Sequence, residues 1–177
     1  MTFLKDIILQ MFFAHMPFVM YNIFYRDQSR NYSKSFITLS SAICLFLSMT
    51  FGASVVHGYF YDIRYTIIFF GMIFGGLQTG FILLAEFLLY RLYIGGDGVF
   101  IAIVIMLMTF PGSYLLYRIY NQSEKRSLIL LLAGVFFSIT PLVAVYLKNP
   151  VSIIDNLTFH MVVIPMQNLV GCWMLIT

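Results

Sequence analysis

Residues 62–98, DIRYTIIFFGMIFGGLQTGFILLAEFLLYRLYIGGDG, decide how the rest of this chain is read. From Tyr65 to Tyr90 the segment carries one charged side chain, Glu86. As one straight helix, Arg64 to Tyr93 would be about 45 Å long at 1.5 Å per residue, against a bilayer hydrocarbon core of roughly 30 Å. Its middle holds Gly71, Gly75, Gly76 and Gly80. Two short helices, 64–76 and 79–93, joined at Gly76-Leu77-Gln78-Thr79, fit the length and use the glycines to turn and to pack closely. A single tilted helix is the alternative.

Charge outside this segment separates the two. Five further apolar runs, 6–25, 36–56, 99–118, 127–147 and 158–177, are each long enough to span. Arg26, Arg30 and Lys34 follow the first run, and Arg118, Lys125 and Arg126 follow the run ending at 118. Positively charged connections stay cytoplasmic. One central helix places these two clusters on opposite sides, whereas a hairpin places both inside and leaves 57–63, 94–98 and 148–157 outside. The expected architecture is therefore all-α: a polytopic membrane bundle of six to seven helices with a short glycine-rich central hairpin, N-terminus outside and C-terminus cytoplasmic.

Composition agrees. Hydrophobic residues make up 61% of the 177 and charged residues 10%, with mean hydropathy +0.92, which excludes a soluble globule. After six or seven spans no length remains for a second domain, so residues 1–177 read as one transmembrane domain. The net charge of +3 is small, and the Lys and Arg residues gather in two loops and not on one helix face, which marks no nucleic-acid footprint. Cys44 and Cys172 lie in separate apolar runs without metal-ligand or disulfide spacing. The first run has no small-residue cleavage site before Arg26 and reads as a retained helix. The chain stops at Thr177 within an apolar run, and a longer parent protein is expected.

In the hairpin arrangement Asp62, Arg64, Arg91 and Asp97 gather at the outer mouth of the two short helices, with Tyr90 beside them. Two guanidiniums there can hold a carboxylate or phosphate bidentately, and the turn Gly95-Gly96-Asp97-Gly98 can offer backbone amides to an anion. Internal Arg/Asp pairing is the alternative role. Glu86 stands deep in an apolar run, where an ionised carboxylate costs about 2.5 to 3.5 kcal/mol to insert. Protonation, pairing with Arg91 or contact with a wet cavity are the ways to accommodate it. His15 and Asn22, seven apart across Pro17, suggest an inward polar stripe on the first span. There is no GxxxxGKS/T loop, HExxH pair or GxSxG elbow, and His57 and His160 have no partner at motif spacing. The chain reads as neither an enzyme nor a holder of cofactor or metal.

Asp62-x-Arg64, Gly71 with Gly75-Gly76, Gly80, and Tyr90-Arg91 followed by Gly95-Gly96-x-Gly98 resemble the core of the LytS and YhcK type transmembrane sensor domain, the five-transmembrane module of bacterial receptors. The resemblance is best over residues 35–147, and Glu86 departs from the small or apolar residue expected there. It implies the input domain of a membrane histidine kinase with its phosphorelay, tied to cell-wall regulation, or of a diguanylate cyclase. Such a domain detects an envelope signal or small ligand in the bacterial plasma membrane, allows a homodimer, and passes the signal to a cytoplasmic output domain absent from these residues. The competing class is the substrate-binding subunit of an energy-coupling-factor vitamin importer. Those subunits dock through an Ala-x-x-x-Ala motif on the first helix, whereas residues 10–18 here hold one alanine, Ala14.

Overall fold

At Gly76 the backbone leaves the space open to L-residues. Its φ of +88° and ψ of 178° fall in a region that is essentially glycine's alone, and one residue suffices to end one helix and start the next. The computed structural model describes residues 2–25, 30–51, 53–56, 59–61, 63–95 and 99–148. Among them are six helices: α1 (Thr2–Tyr25), α2 (Arg30–Thr50), α3 (Arg64–Gly75), α4 (Leu77–Ile94), α5 (Val99–Gln122) and α6 (Arg126–Lys148). Two short antiparallel strands, β1 (Ala53–Val56) and β2 (Tyr59–Tyr61), lie between α2 and α3. The chain divides into two compact units, residues 1–100 and 101–177.

In the first unit α3 and α4 double back on each other. A Cβ on Gly71 would overlap the Leu83 side chain, and one on Gly80 would overlap Met72. Residues 71 and 83 would be about 18 Å apart along a continuous helix, so their contact requires a hairpin. Nearest the turn, a Cβ on Gly75 would overlap Thr79 at its Oγ1 and approach its Cβ to 2.9 Å. The sequence-expected hairpin is present, but its joint is Gly76 alone, and Leu77 to Thr79 already form the first turn of α4.

Every residue from Ile63 to Met72 is buried, which makes α3 the centre of this unit. α1 covers its C-terminal end, with Phe18 and Tyr21 placing their rings 5.8 and 4.7 Å from that of Phe74. Two hydroxyl pairs join α2 to α4: Thr38 with Thr79 at 2.7 Å and Thr50 with Tyr90 at 2.9 Å. Because the later residue of α2 meets the later residue of α4, these helices run parallel, with α3 providing the return crossing. α1 is fixed to α2 by Gln10, which is fully buried. Its Nε2 donates to the carbonyls of Ser48 and Phe51, both at 2.9 Å, while Ser48 Oγ donates back to its Oε1 at 2.7 Å. In a bilayer, where apolar contact alone does not drive helices together, such polar bonds set which faces meet.

The strands differ from the expected loop at 57–63. Val55-Val56 and Tyr59-Phe60-Tyr61 are β-branched and aromatic residues that favour extended backbone, and Ala53 pairs with Tyr61, Ser54 with Phe60 and Val56 with Tyr59. The second apolar run, read as 36–56, accordingly ends as helix at Thr50.

In the second unit α5 and α6 touch where Gly112 leaves room for Phe136, whose ring a Cβ would overlap. Hydroxyls within both helices bond back to the carbonyl four residues earlier: Thr109 to Ile105, Ser113 to Thr109, Ser138 to Gly134 and Thr140 to Phe136, at 2.7–2.8 Å. This hides polar hydrogens where no water is present to take them. The expected run 158–177, with Pro165 and Cys172, lies outside the described residues.

α4 and the stretch Ala102–Gln122 of α5 are long and apolar enough to cross a membrane. Large apolar side chains face outward on both, Leu89 being 69% and Leu107 65% exposed, a surface suited to lipid and not to water.

Two outcomes follow from the packing. Gly76→Ala should destabilise the fold by about 1–3 kcal/mol, the cost of forcing an L-residue into that backbone region, read as a lowered unfolding midpoint in detergent. A double-mutant cycle of Gln10→Leu with Ser48→Ala should return a coupling energy of about 0.6–1.7 kcal/mol, and strict additivity would contradict the clasp.

Candidate functional site

α4 carries four of the sequence-derived candidates, and its periodicity sorts them onto two faces. Gly80, Leu83 and Phe87 form the stripe turned to α3, and Arg91 continues it one turn, about 6 Å, beyond Phe87. Glu86 and Tyr90, also four apart, occupy the neighbouring face.

Arg64 begins α3 and is only 6% exposed. Its guanidinium carbon lies 5.2 Å from the centroid of the Phe87 ring and 5.8 Å from that of Tyr65. The rings present their negative faces to the cation and partly replace the water it has lost. Phe87 is itself fully buried, so its ring has little freedom to move away. The doubling back at Gly76 thus delivers Arg64 to the same stripe of α4 that carries Arg91, although the two are 27 positions apart in sequence. Arg91 is half-buried in the last turn of α4. The helix closes at Gly95, whose φ is +70° and whose N–H donates to the Arg91 carbonyl at 3.1 Å.

Tyr90 is committed to α2: its hydroxyl bonds to Thr50, and its ring stands edge-on to Phe46 at 5.2 Å. A movement at Arg91 is therefore one residue from a bond that fixes α4 to α2. Glu86 faces a shallow groove of about 580 Å³ lined by Ile82, Ala85, Leu89, Tyr90 and Tyr93 as well as by Glu86 itself. Its Oε2 is buried without a hydrogen-bond partner among the described residues. Asp62, Gly96, Asp97 and Gly98 lie outside the described residues, so the arginine half of the expected constellation is the half that is described.

Three participants escaped the sequence reading. Phe87 looks like any lipid-facing phenylalanine until α3 lays Arg64 over it. Gln10 is a carboxamide inside an apolar run, whereas the expected inward stripe of the first span consists of His15 and Asn22. Asn22 proves exposed, and Gln10 is the residue turned inward. Thr79 reads in sequence only as part of the joint, because its pairing depends on meeting Thr38 41 positions earlier.

The arrangement sets the Arg64 cation against two aromatic rings, and a guanidinium is a group that can hold an anion by paired hydrogen bonds. The family model described as 5TMR of 5TMR-LYT matches residues 18–177, more of the chain than the 35–147 of the quoted resemblance. No curated protein and no solved structure matches the chain. A match over all but the first 17 residues shows the family: the chain belongs to the 5TMR-LYT group, the membrane-spanning, non-catalytic sensor domain of LytS-type signalling receptors.

Proposed function

We propose that this domain detects a small anion, a carboxylate or phosphate, through Arg64 and Arg91, and passes the signal to a cytoplasmic output domain in a longer receptor. The observation that carries the reading is the buried guanidinium of Arg64 against Phe87, one helical turn from Arg91. A buried cation in a membrane protein is costly unless it serves an interaction, which makes such a group a candidate functional contact. Two guanidiniums on one stripe suit a planar carboxylate or a phosphate, which can accept paired hydrogen bonds from each. Asp62 and Asp97, at the two sequence ends of the same hairpin, and Glu86 and Tyr90 on the adjacent face complete the proposed signalling set.

Orientation comes from loop charge. α2 begins at Arg30 and reaches the hairpin turn through Thr38 and Thr79, and the sequence charges Arg26, Arg30 and Lys34 around its start assign that end to the cytoplasm. The arginine site then opens toward the outside, the N-terminus is outside and the C-terminus inside. The output is a histidine kinase or a diguanylate cyclase, and an envelope or cell-wall signal is compatible with an outward-facing site. No observation favours the vitamin-importer alternative.

A ligand shifts a receptor only by binding one arrangement better than another. The movable part in this reading is the α3–α4 hairpin, which turns on one residue and is held to α2 by two hydroxyl pairs. An anion drawing the two arginines together would pull the outer end of α4 against the Thr50–Tyr90 bond.

In the parent receptor, Arg91→Ala should abolish the response or weaken apparent ligand affinity at least thirtyfold, corresponding to about 2 kcal/mol or more for truncating one partner of a desolvated charge pair. Membrane insertion should be unchanged. Normal signalling by a correctly inserted Arg91→Ala receptor would remove the site.

A further inference from the structure

The opposite end of the first unit holds a second cavity, independent of the arginine site. Between α2 and the α3–α4 turn lies a space of about 390 Å³. Lys34, Ser35 and Gln78 line its polar side, and Leu39 and Ile82 its apolar side. The Thr38–Thr79 pair forms part of its wall. Thr38 donates its hydroxyl hydrogen to the Lys34 carbonyl at 2.9 Å, so Thr79 must donate to Thr38 across their 2.7 Å contact. Both threonine protons are then in use, and the donors left to an occupant are the Lys34 ammonium, the Ser35 hydroxyl and the Gln78 carboxamide. None of these three side chains is engaged in a hydrogen bond or ion pair within the described residues. Among the described residues no carboxylate lines the cavity.

A cation with two neutral donors and no acid is the lining for a phosphate. The apolar side decides what carries it. Leu39 is 59% and Ile82 51% exposed, one turn further along α2 and α4 than the polar rim, so they extend the cavity along the hydrocarbon-facing surface of both helices. A free phosphate makes no use of that wall, whereas a diacyl lipid covers it with a chain.

We propose that this cavity binds an anionic phospholipid, its phosphate held by Lys34, Ser35 and Gln78 and an acyl chain lying along Leu39 and Ile82. The occupant touches both α2 and the turn of the hairpin. It therefore braces the joint at Gly76 against α2 and couples the hairpin's freedom to the charge of the surrounding leaflet.

The test uses the whole chain in nanodiscs of phosphatidylcholine with and without phosphatidylglycerol, with retained lipids counted by native mass spectrometry. Phosphatidylglycerol should be retained by the unaltered chain, and Lys34→Ala should lower retention about fivefold, the contribution of one lysine at an anionic surface. Gln78→Leu should also lower it, and Lys125→Ala, on the connection between α5 and α6, should leave it unchanged. Equal losses for Lys34→Ala and Lys125→Ala would mean diffuse surface attraction and overturn the site. If phosphatidylglycerol is not retained while inorganic phosphate raises the unfolding midpoint of the unaltered chain and not of Lys34→Ala, the lipid assignment falls and the cavity is one for free phosphate.

Discussion

The reversal at Gly76 is the constraint on which the first unit depends. A change of helix direction within one residue needs a backbone conformation that L-side chains resist, and glycine makes it available at small cost. Once the chain turns there, the remaining geometry is forced. Gly71, Gly75 and Gly80 must be small because Leu83, Thr79 and Met72 arrive against them. α3, enclosed by three neighbours, must be apolar on every side. Its first residue, Arg64, must then meet the α4 stripe about three turns from the joint, where Phe87 receives it.

Polar side chains supply what apolar packing does not in a lipid solvent. The carboxamide of Gln10 closes α1 onto α2, and the two threonine hydroxyls of α2 reach α4 near its two ends. These are weak bonds individually, of the order of 1 kcal/mol each, and they leave the hairpin attached but not locked. A sensor needs that balance, since a ligand of ordinary affinity can shift only an equilibrium of a few kcal/mol. The two ends of the hairpin differ in kind: the arginine stripe lies at one, and at the other a polar cavity whose wall is shared with α2.

Much of this was legible in the sequence, for physical reasons that differ by element. The long apolar segment 64–93, too long for one untilted span and broken by glycines, foretold the hairpin because bilayer thickness is a fixed length. Spans elsewhere followed from hydropathy, and the family from the spacing of Asp62, Arg64, Tyr90, Arg91 and the glycines. What remained hidden required knowing which residues meet across space. The Phe87 ring beneath Arg64, the Thr38–Thr79 pair and the Gln10 clasp join positions 23 to 41 residues apart, and no local pattern announces them. The strand pair at 53–61 escapes for another reason: its valines read as the end of the second span, 36–56, and its aromatics as part of the outer segment 57–63, so the two strands are split between two readings.

Cysteine accessibility from outside intact cells tests the hairpin most directly, in a background with Cys44 and Cys172 replaced and single cysteines at Gln78, Asp97 and Gln122. Labelling at position 97 alone, with 78 and 122 reacting only after permeabilisation, is the outcome the fold and the loop charge predict. Labelling at 122 with protection at 97 would make residues 64–94 a single crossing, and the shared arginine stripe would go with the hairpin that creates it.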